Sequence, residues 1–167
     1  MSNQDWIKIK LNWTEEQVNV LFKNTLVFDF LIIWSYFEGN CSNSITLKRI
    51  RNSKIIDSKK EELRKILTIF LNLHKRYQDD TNWKNLIHKD NCEFFSNLRG
   101  RKANDLELTE KIRFVFYVIY RFRNNIFHGN KGVQSWLLYE EQINQCIEGM
   151  KILNDFFENS ILSFQIA

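Results

Sequence analysis

The sequence predicts an all-α protein: an up-and-down bundle of four long helices plus one or two short ones. Three observations predict it. The 167 residues contain no proline and only five glycines, so nothing interrupts long helices. Apolar residues recur at three- and four-residue spacing instead of alternating. Two capping-box patterns, Thr14-Glu15-Glu16-Gln17 and Ser58-Lys59-Lys60-Glu61, mark helix starts just ahead of such runs. Fourteen phenylalanines and five tryptophans supply an aromatic interior, and the length suits a single domain over 1–167 with a core of its own. Short connections favour antiparallel neighbours.

Each element follows in chain order. Residues 1–13, with Trp6, Ile7, Ile9 and Leu11 among polar neighbours, fit an extended arm or a frayed lead-in equally. The Thr14 capping box starts a helix running to Gly39. From Leu26 to Phe37 it is apolar nearly all round, the pattern of a central helix or of one sharing a face with a second subunit. Asp29 reads as the partner of a nearby cation, and Glu38 as either an exposed helix end or a residue that orients Arg123. Cys41 to Ser58 is a polar, basic loop. Ser58 caps an amphipathic helix whose stripe is Leu63, Ile66, Leu67, Phe70, Leu71 and His74, which makes His74 a hydrogen-bonded core or boundary residue.

Asp79-Asp80-Thr81-Asn82 is a turn and cap signal, and the segment Thr81 to Lys89 leaves His88 exposed. Asn91 to Leu98 forms a short helix closed by Gly100. Arg99-Gly100-Arg101-Lys102 is the most concentrated positive patch in the chain. Asp105 opens a long helix, which buries Ile112, Val115, Phe116, Ile119, Phe122 and Ile126 and ends at His128. Ser135 caps a last helix with Trp136, Ile143, Ile147, Met150 and Phe157 inward, and the tail from Ser160 to Ala167 packs back.

The net charge of +4 is compatible with a polyanionic partner without demanding one. Cys41, Cys92 and Cys146 are odd in number and widely spaced, the usage of reduced cytosolic thiols. No leader pattern opens the chain and no apolar run reaches the length of a membrane span, so the expectation is a cytoplasmic protein without a membrane.

Chemistry concentrates in Arg121-Phe122-Arg123-Asn124-Asn125-Ile126-Phe127-His128-Gly129-Asn130-Lys131-Gly132. A guanidinium, carboxamides, an imidazole and an ammonium stand between an apolar helical run and two glycines. Gly129 suits the left-handed exit of a helix, and the negative helix end favours a protonated His128. Metal chemistry would need clustered His, Cys, Asp or Glu ligands, and none is present here, so no cofactor or metal is expected. A Ser-His-Asp arrangement is not visible either. Cleavage of RNA by its own 2′-hydroxyl needs only a base, an acid and a cation beside the phosphorane. One histidine cannot be acid and base at once, which two chains acting together would resolve.

Arg123-Asn124-Asn125-Ile126-Phe127-His128-Gly129 resembles the Arg, polar, variable stretch, His signature of the HEPN superfamily, helical domains of prokaryotic toxins and RNA-targeting defence systems. The Trp-containing, Glu-terminated run Leu26 to Glu38 resembles that family's opening helix. The resemblance implies a HEPN-like bundle that forms a metal-independent endoribonuclease site across a homodimer. It implies that His128 is general acid or base, that Arg123 stabilises the phosphate, and that Asn124 supports them; Glu38 is the candidate among the other residues to position Arg123. It implies an RNA substrate, and as further partner an antitoxin or regulatory protein. RNA-contacting residues expected around such a site are Arg99, Arg101, Lys102, Arg121 and Lys131. In the branch paired with a nucleotidyltransferase, a tyrosine stands two residues after the histidine; here that position is Asn130. Other functions consistent with the residues are a HEPN-like module that binds RNA or a protein without cutting, and an RNA-binding subunit awaiting an effector.

Overall fold

The computed structural model describes the backbone of residues 1–41, 60–88, 92–127 and 138–164, and their side chains except at 40–41, 60–63, 127 and 156–164. The described residues are all-α. The helices are α1 (Asn3–Leu11), α2 (Glu15–Lys23), α3 (Leu26–Cys41), α4 (Lys60–Tyr77), α5 (Asp80–Ile87), α6 (Glu93–Gly100), α7 (Leu108–Phe127) and α8 (Glu140–Phe164), with a 3-10 turn at Ala103–Asp105. The four long ones, α3, α4, α7 and α8, pack into a helical bundle: α8 lies on α3, α4 and α7, and α4 on α7. There are more short helices than the sequence suggested.

Local chemistry explains the starts. Ser2 and Asp5 form a reciprocal capping box, so the opening arm is helical rather than extended. Thr14 and Gln17 make the expected box, with the Thr14 amide donating to Gln17 Oε1 at 2.9 Å. The helix expected from there to Gly39 is in fact two helices. Asn24 leaves helical geometry (φ −78, ψ 104), and its side-chain oxygen accepts from the Leu26 amide at 2.9 Å, restarting the chain as α3. Asp79 caps α5 by accepting from Asn82 at 2.7 Å. The long helix begins at Leu108 instead of Asp105, because Glu107 caps it, its amide donating to the Glu110 carboxylate. The Ser58 and Ser135 caps, the 42–58 loop, the tail's packing and the inward Trp136 and Phe157 lie outside the described residues or side chains.

The central helix is α7, not α3. Ile112 through Ile119 are all buried in α7, so that helix meets neighbours on every side. Phe116 packs 5.0 Å from Phe37, and Tyr117 stacks on Phe95 at 3.8 Å. By contrast α3 buries Phe30, Trp34 and Phe37 but exposes Phe28, Leu31, Ile32 and Tyr36. Asp29 is exposed beside them and so has no burial to offset. In α4 the buried row is Ile66, Phe70, Leu73, His74 and Tyr77, while Leu71 points out. Leu73 takes the place given to Leu71, since α7 and α8 meet the helix slightly off the stripe read from the sequence. Trp13 and Val18 are buried where α1 packs on α2, apart from the main core. By length and composition, Glu15–Gly39 is apolar enough to cross a membrane, which corrects the expectation that no run reaches that length.

Candidate functional site

At the end of α7 the Arg123 guanidinium lies 5.0 Å over the Trp34 ring and its Nη1 donates to Asn124 Oδ1 at 3.1 Å. Trp34 is itself 3 % exposed, and its indole Nε1 donates to Glu38 Oε2 at 3.1 Å. Tyr120 meets Trp34 edge-on at 5.2 Å. Burial raises the Tyr120 hydroxyl above its ordinary pKa, the Glu38 charge raises it further, and the Arg123 charge opposes both. Those two opposite charges therefore share one small neighbourhood. The result is a connected unit, Glu38 to Trp34 to Arg123 to Asn124, built by the i, i+4 pair of α3 and the last turn of α7. Glu38 and Arg123 both contact one indole, that of Trp34. Its i, i+4 spacing to Glu38 was the legible signal.

The neighbours of that unit do different work. Asn125 is buried, and its amide nitrogen donates to the carbonyls of Asn85 at 3.2 Å and Leu86 at 2.7 Å. The Arg121 guanidinium donates to the Ile87 carbonyl. Together they close the C-terminus of α5, whose last carbonyls otherwise lack partners. Two residues separate Asn125 from Arg123, so they leave α7 on nearly opposite sides. Near Asn125, a small cleft of about 40 Å³ opens between the ends of α4, α5 and α7, with Arg76, Asn82 and Tyr139 on its walls.

The residues of the positive patch are also unequal. Arg99 donates to the Tyr77 and Gln78 carbonyls and to the Asp80 carboxylate, and lies 5.5 Å over Trp83. It joins the end of α4 to the start of α5, and its charge pulls the Asp80 carboxyl below its ordinary pKa. Arg101 donates to Glu110 at 2.7 Å and to the Asp105 carbonyl. Burial works against the Glu110 charge, but the Glu107 amide and Arg101 outweigh it and hold that pKa below its usual value. Lys102 is exposed. His128 and Lys131, the remaining site residues of the sequence analysis, lie outside the described residues.

The other histidines fall where the patterning put them. His74 is buried, with Nε2 3.4 Å from the Leu98 carbonyl and Gln78 against its ring. His88 is exposed at the end of α5 with φ 52. Cys92 and Cys146 are free thiols, and burial pushes Cys146 up to about 12. Among the described residues no three His, Cys, Asp or Glu side chains cluster closely enough to hold a metal ion. Chemically, the α7 terminus offers a fixed cation with one face on an aromatic ring, and a carboxamide bonded to it. An anionic oxygen is the complementary ligand.

Comparisons with known protein families, with curated proteins and with solved structures find no match to this chain.

Proposed function

We infer that this chain is a metal-independent endoribonuclease of HEPN type, with a HEPN-like arrangement of its bundle, acting in the cytoplasm as a toxin or anti-phage effector. The observation that supports this most is the Arg123-Asn124 pair, seated on Trp34 and tied through it to Glu38, five residues ahead of His128 in the sequence. An arginine meant only to cover apolar surface has no need of a buried indole under it and a carboxylate behind that indole.

In this reading the ribose 2′-hydroxyl attacks the adjacent phosphorus, the P–O5′ bond breaks, and a 2′,3′-cyclic phosphate forms. His128 exchanges the proton, as base toward the 2′-hydroxyl or acid toward the departing 5′-oxygen. Arg123 faces the charge that develops on the phosphorane. Asn124 holds the guanidinium, and Glu38 fixes Trp34 beneath it. A second copy of the chain supplies the complementary histidine, and no metal or other cofactor takes part. Lys102, which is exposed, leads the RNA-contacting set, with Lys131 closer in sequence to the motif. Arg99, Arg101 and Arg121 contribute field at most, since their donors are directed to backbone carbonyls and, for Arg99 and Arg101, to carboxylates. An antitoxin or regulatory protein restrains the activity in its host, and the membrane has no role.

The test is cleavage of total RNA and of a chimeric oligonucleotide with a single ribose in a deoxyribose background. Wild type cuts in excess chelator, leaves cyclic phosphate ends and spares the all-deoxy control. His128→Ala lowers the rate by about 10²–10⁴-fold while RNA affinity persists. Cleavage that chelator abolishes, or that His128→Ala leaves unchanged, rejects this chemistry. A protein that binds RNA and never cuts it is the non-catalytic module instead.

A further inference from the structure

We propose that Tyr120 is a further substrate-binding residue, its hydroxyl donating to a non-bridging oxygen of the phosphodiester seated on Arg123. The identity of that anion rests on the RNA-cleaving reading, and the place of the donor rests on the geometry of α7.

Tyr120 stands three residues before Arg123 and four before Asn124, so it lies one turn beneath both and between their columns on the helix. Side chains on a helix lean towards its N-terminus, which brings the guanidinium and the carboxamide down over the turn that carries Tyr120. In the stretch from Tyr117 to Ile126 only Tyr120, Arg121, Arg123 and Asn124 are half-buried, and the rest are buried. Arg121 donates to the Ile87 carbonyl at the end of α5, which leaves the other three as one accessible patch.

From α3 the Trp34 ring lies under the Arg123 guanidinium at 5.0 Å and meets the Tyr120 ring edge-on at 5.2 Å. Phe116, one turn earlier on α7, stacks with Tyr120 at 6.3 Å. A phenylalanine would satisfy both ring contacts. The hydroxyl is the group that packing does not use: among the described residues it has no hydrogen-bond partner. The charges acting on it are Glu38 from α3 and Arg123 from its own helix, and together with burial they leave its pKa above the ordinary 10.0, so it keeps its proton at neutral pH. A phenol that holds its proton donates to an anionic oxygen without adding charge to the site. A guanidinium only donates, so Asn124 gives its Oδ1 to Arg123 and has only amide N–H donors left to offer. Guanidinium, amide and phenol make a set of donors, the complement of a phosphodiester, while Glu38 has one oxygen engaged by the Trp34 indole.

Tyr120→Phe keeps the ring and removes the donor. It is compared with wild type on the single-ribose chimera, whose scissile linkage is either a phosphodiester or a phosphorothioate resolved into its two diastereomers, since sulfur is a weak acceptor. The melting temperature should stay within about a degree of wild type. On the phosphodiester kcat/KM should fall about 10–100-fold, mostly in kcat, because the oxygen gains charge in the transition state. One sulfur diastereomer should slow wild type, and that slowing should shrink at least about fivefold in Tyr120→Phe, which no longer has the donor to lose. An equal sulfur effect in the two proteins, an unchanged rate or a fall in melting temperature overturns the contact. Affinity for the all-deoxy oligonucleotide, read by fluorescence anisotropy, separates this from the nuclease reading. A wild type that never cuts the chimera, but binds the all-deoxy strand at least about threefold more tightly than Tyr120→Phe does, keeps the phosphate contact and removes the nuclease. A wild type that cuts, with Tyr120→Phe indistinguishable from it, keeps the nuclease and removes the contact. If wild type never cuts and the two proteins bind alike, both fall.

Discussion

Replacing Asn125 with alanine should cost stability without touching the phosphate-facing unit beside it. The Asn125 amide nitrogen serves two carbonyls, those of Asn85 and Leu86, at the end of α5, and the side chain is 1 % exposed. Truncation leaves both carbonyls without that donor. Each such bond contributes about 1 kcal/mol net, and a stranded buried acceptor costs about 1–3 kcal/mol. Against this, Asn125 Oδ1 has no partner of its own, so its removal returns part of the loss. The balance is about 2 kcal/mol, or roughly 4–8 °C in melting temperature for a chain of this size. The measurement is thermal and urea unfolding followed by far-ultraviolet circular dichroism. Asn125→Asp sharpens it. At neutral pH a carboxylate would face two carbonyl oxygens, and its pKa in the folded state would rise. Its defect should exceed that of alanine at neutral pH and shrink as the pH falls, because the protonated acid can again donate one bond. A melting temperature for Asn125→Ala within a degree of wild type, or an Asn125→Asp defect that grows on acidification, would refute the capping argument.

Asn124→Ala, one residue away, should lower RNA cleavage by about tenfold or more with little change in melting temperature, since Asn124 bonds Arg123 and closes no helix. Trp34→Phe keeps a ring under the guanidinium but loses the donor to Glu38; cleavage should fall, and Glu38→Gln should fall alongside it without additivity in the double variant, as measured by kcat/KM. Glu110 titrates below its ordinary 4.5 in the folded chain, so its stabilisation is present above that pH and is lost as the pH falls beneath it. Arg101→Gln should flatten that acid limb in a pH series of unfolding midpoints. On α8, a Cβ at Gly149 would meet Ile119 Cδ1 at 3.1 Å. Gly149→Ala should therefore move stability by less than about 1 kcal/mol, the helix propensity gain offsetting the contact, whereas Gly149→Leu should cost about 2 kcal/mol or more in urea unfolding.

Patterning alone carried the helical class, the capping box at Thr14 and the cap at Asp79, and the buried row of α7 from Ile112 to Ile126. These are local or periodic properties, fixed by hydrogen bonds three residues apart and by a 3.6-residue repeat. It also separated His74, on an apolar stripe, from His88. The break at Asn24 was less legible, because a carboxamide can continue a helix or restart one, and only the backbone geometry shows which.

What the chain's own order could not decide is the partner of each polar group. Arg99, Arg121 and Arg123 look alike in the sequence, as do Asn124 and Asn125. Tertiary packing assigns Arg99 to the ends of α4, Arg121 and Asn125 to the carbonyls of α5, and Arg123 with Asn124 to the indole of Trp34. The reason is that a side chain's direction on a helix follows from its position, while what it meets there depends on residues dozens of positions away. The same holds for the apolar faces: hydrophobicity marked α3 as a candidate for the centre and gave α7 only a buried stripe, and the placement of neighbouring helices covered α7 and left α3 a stripe in water.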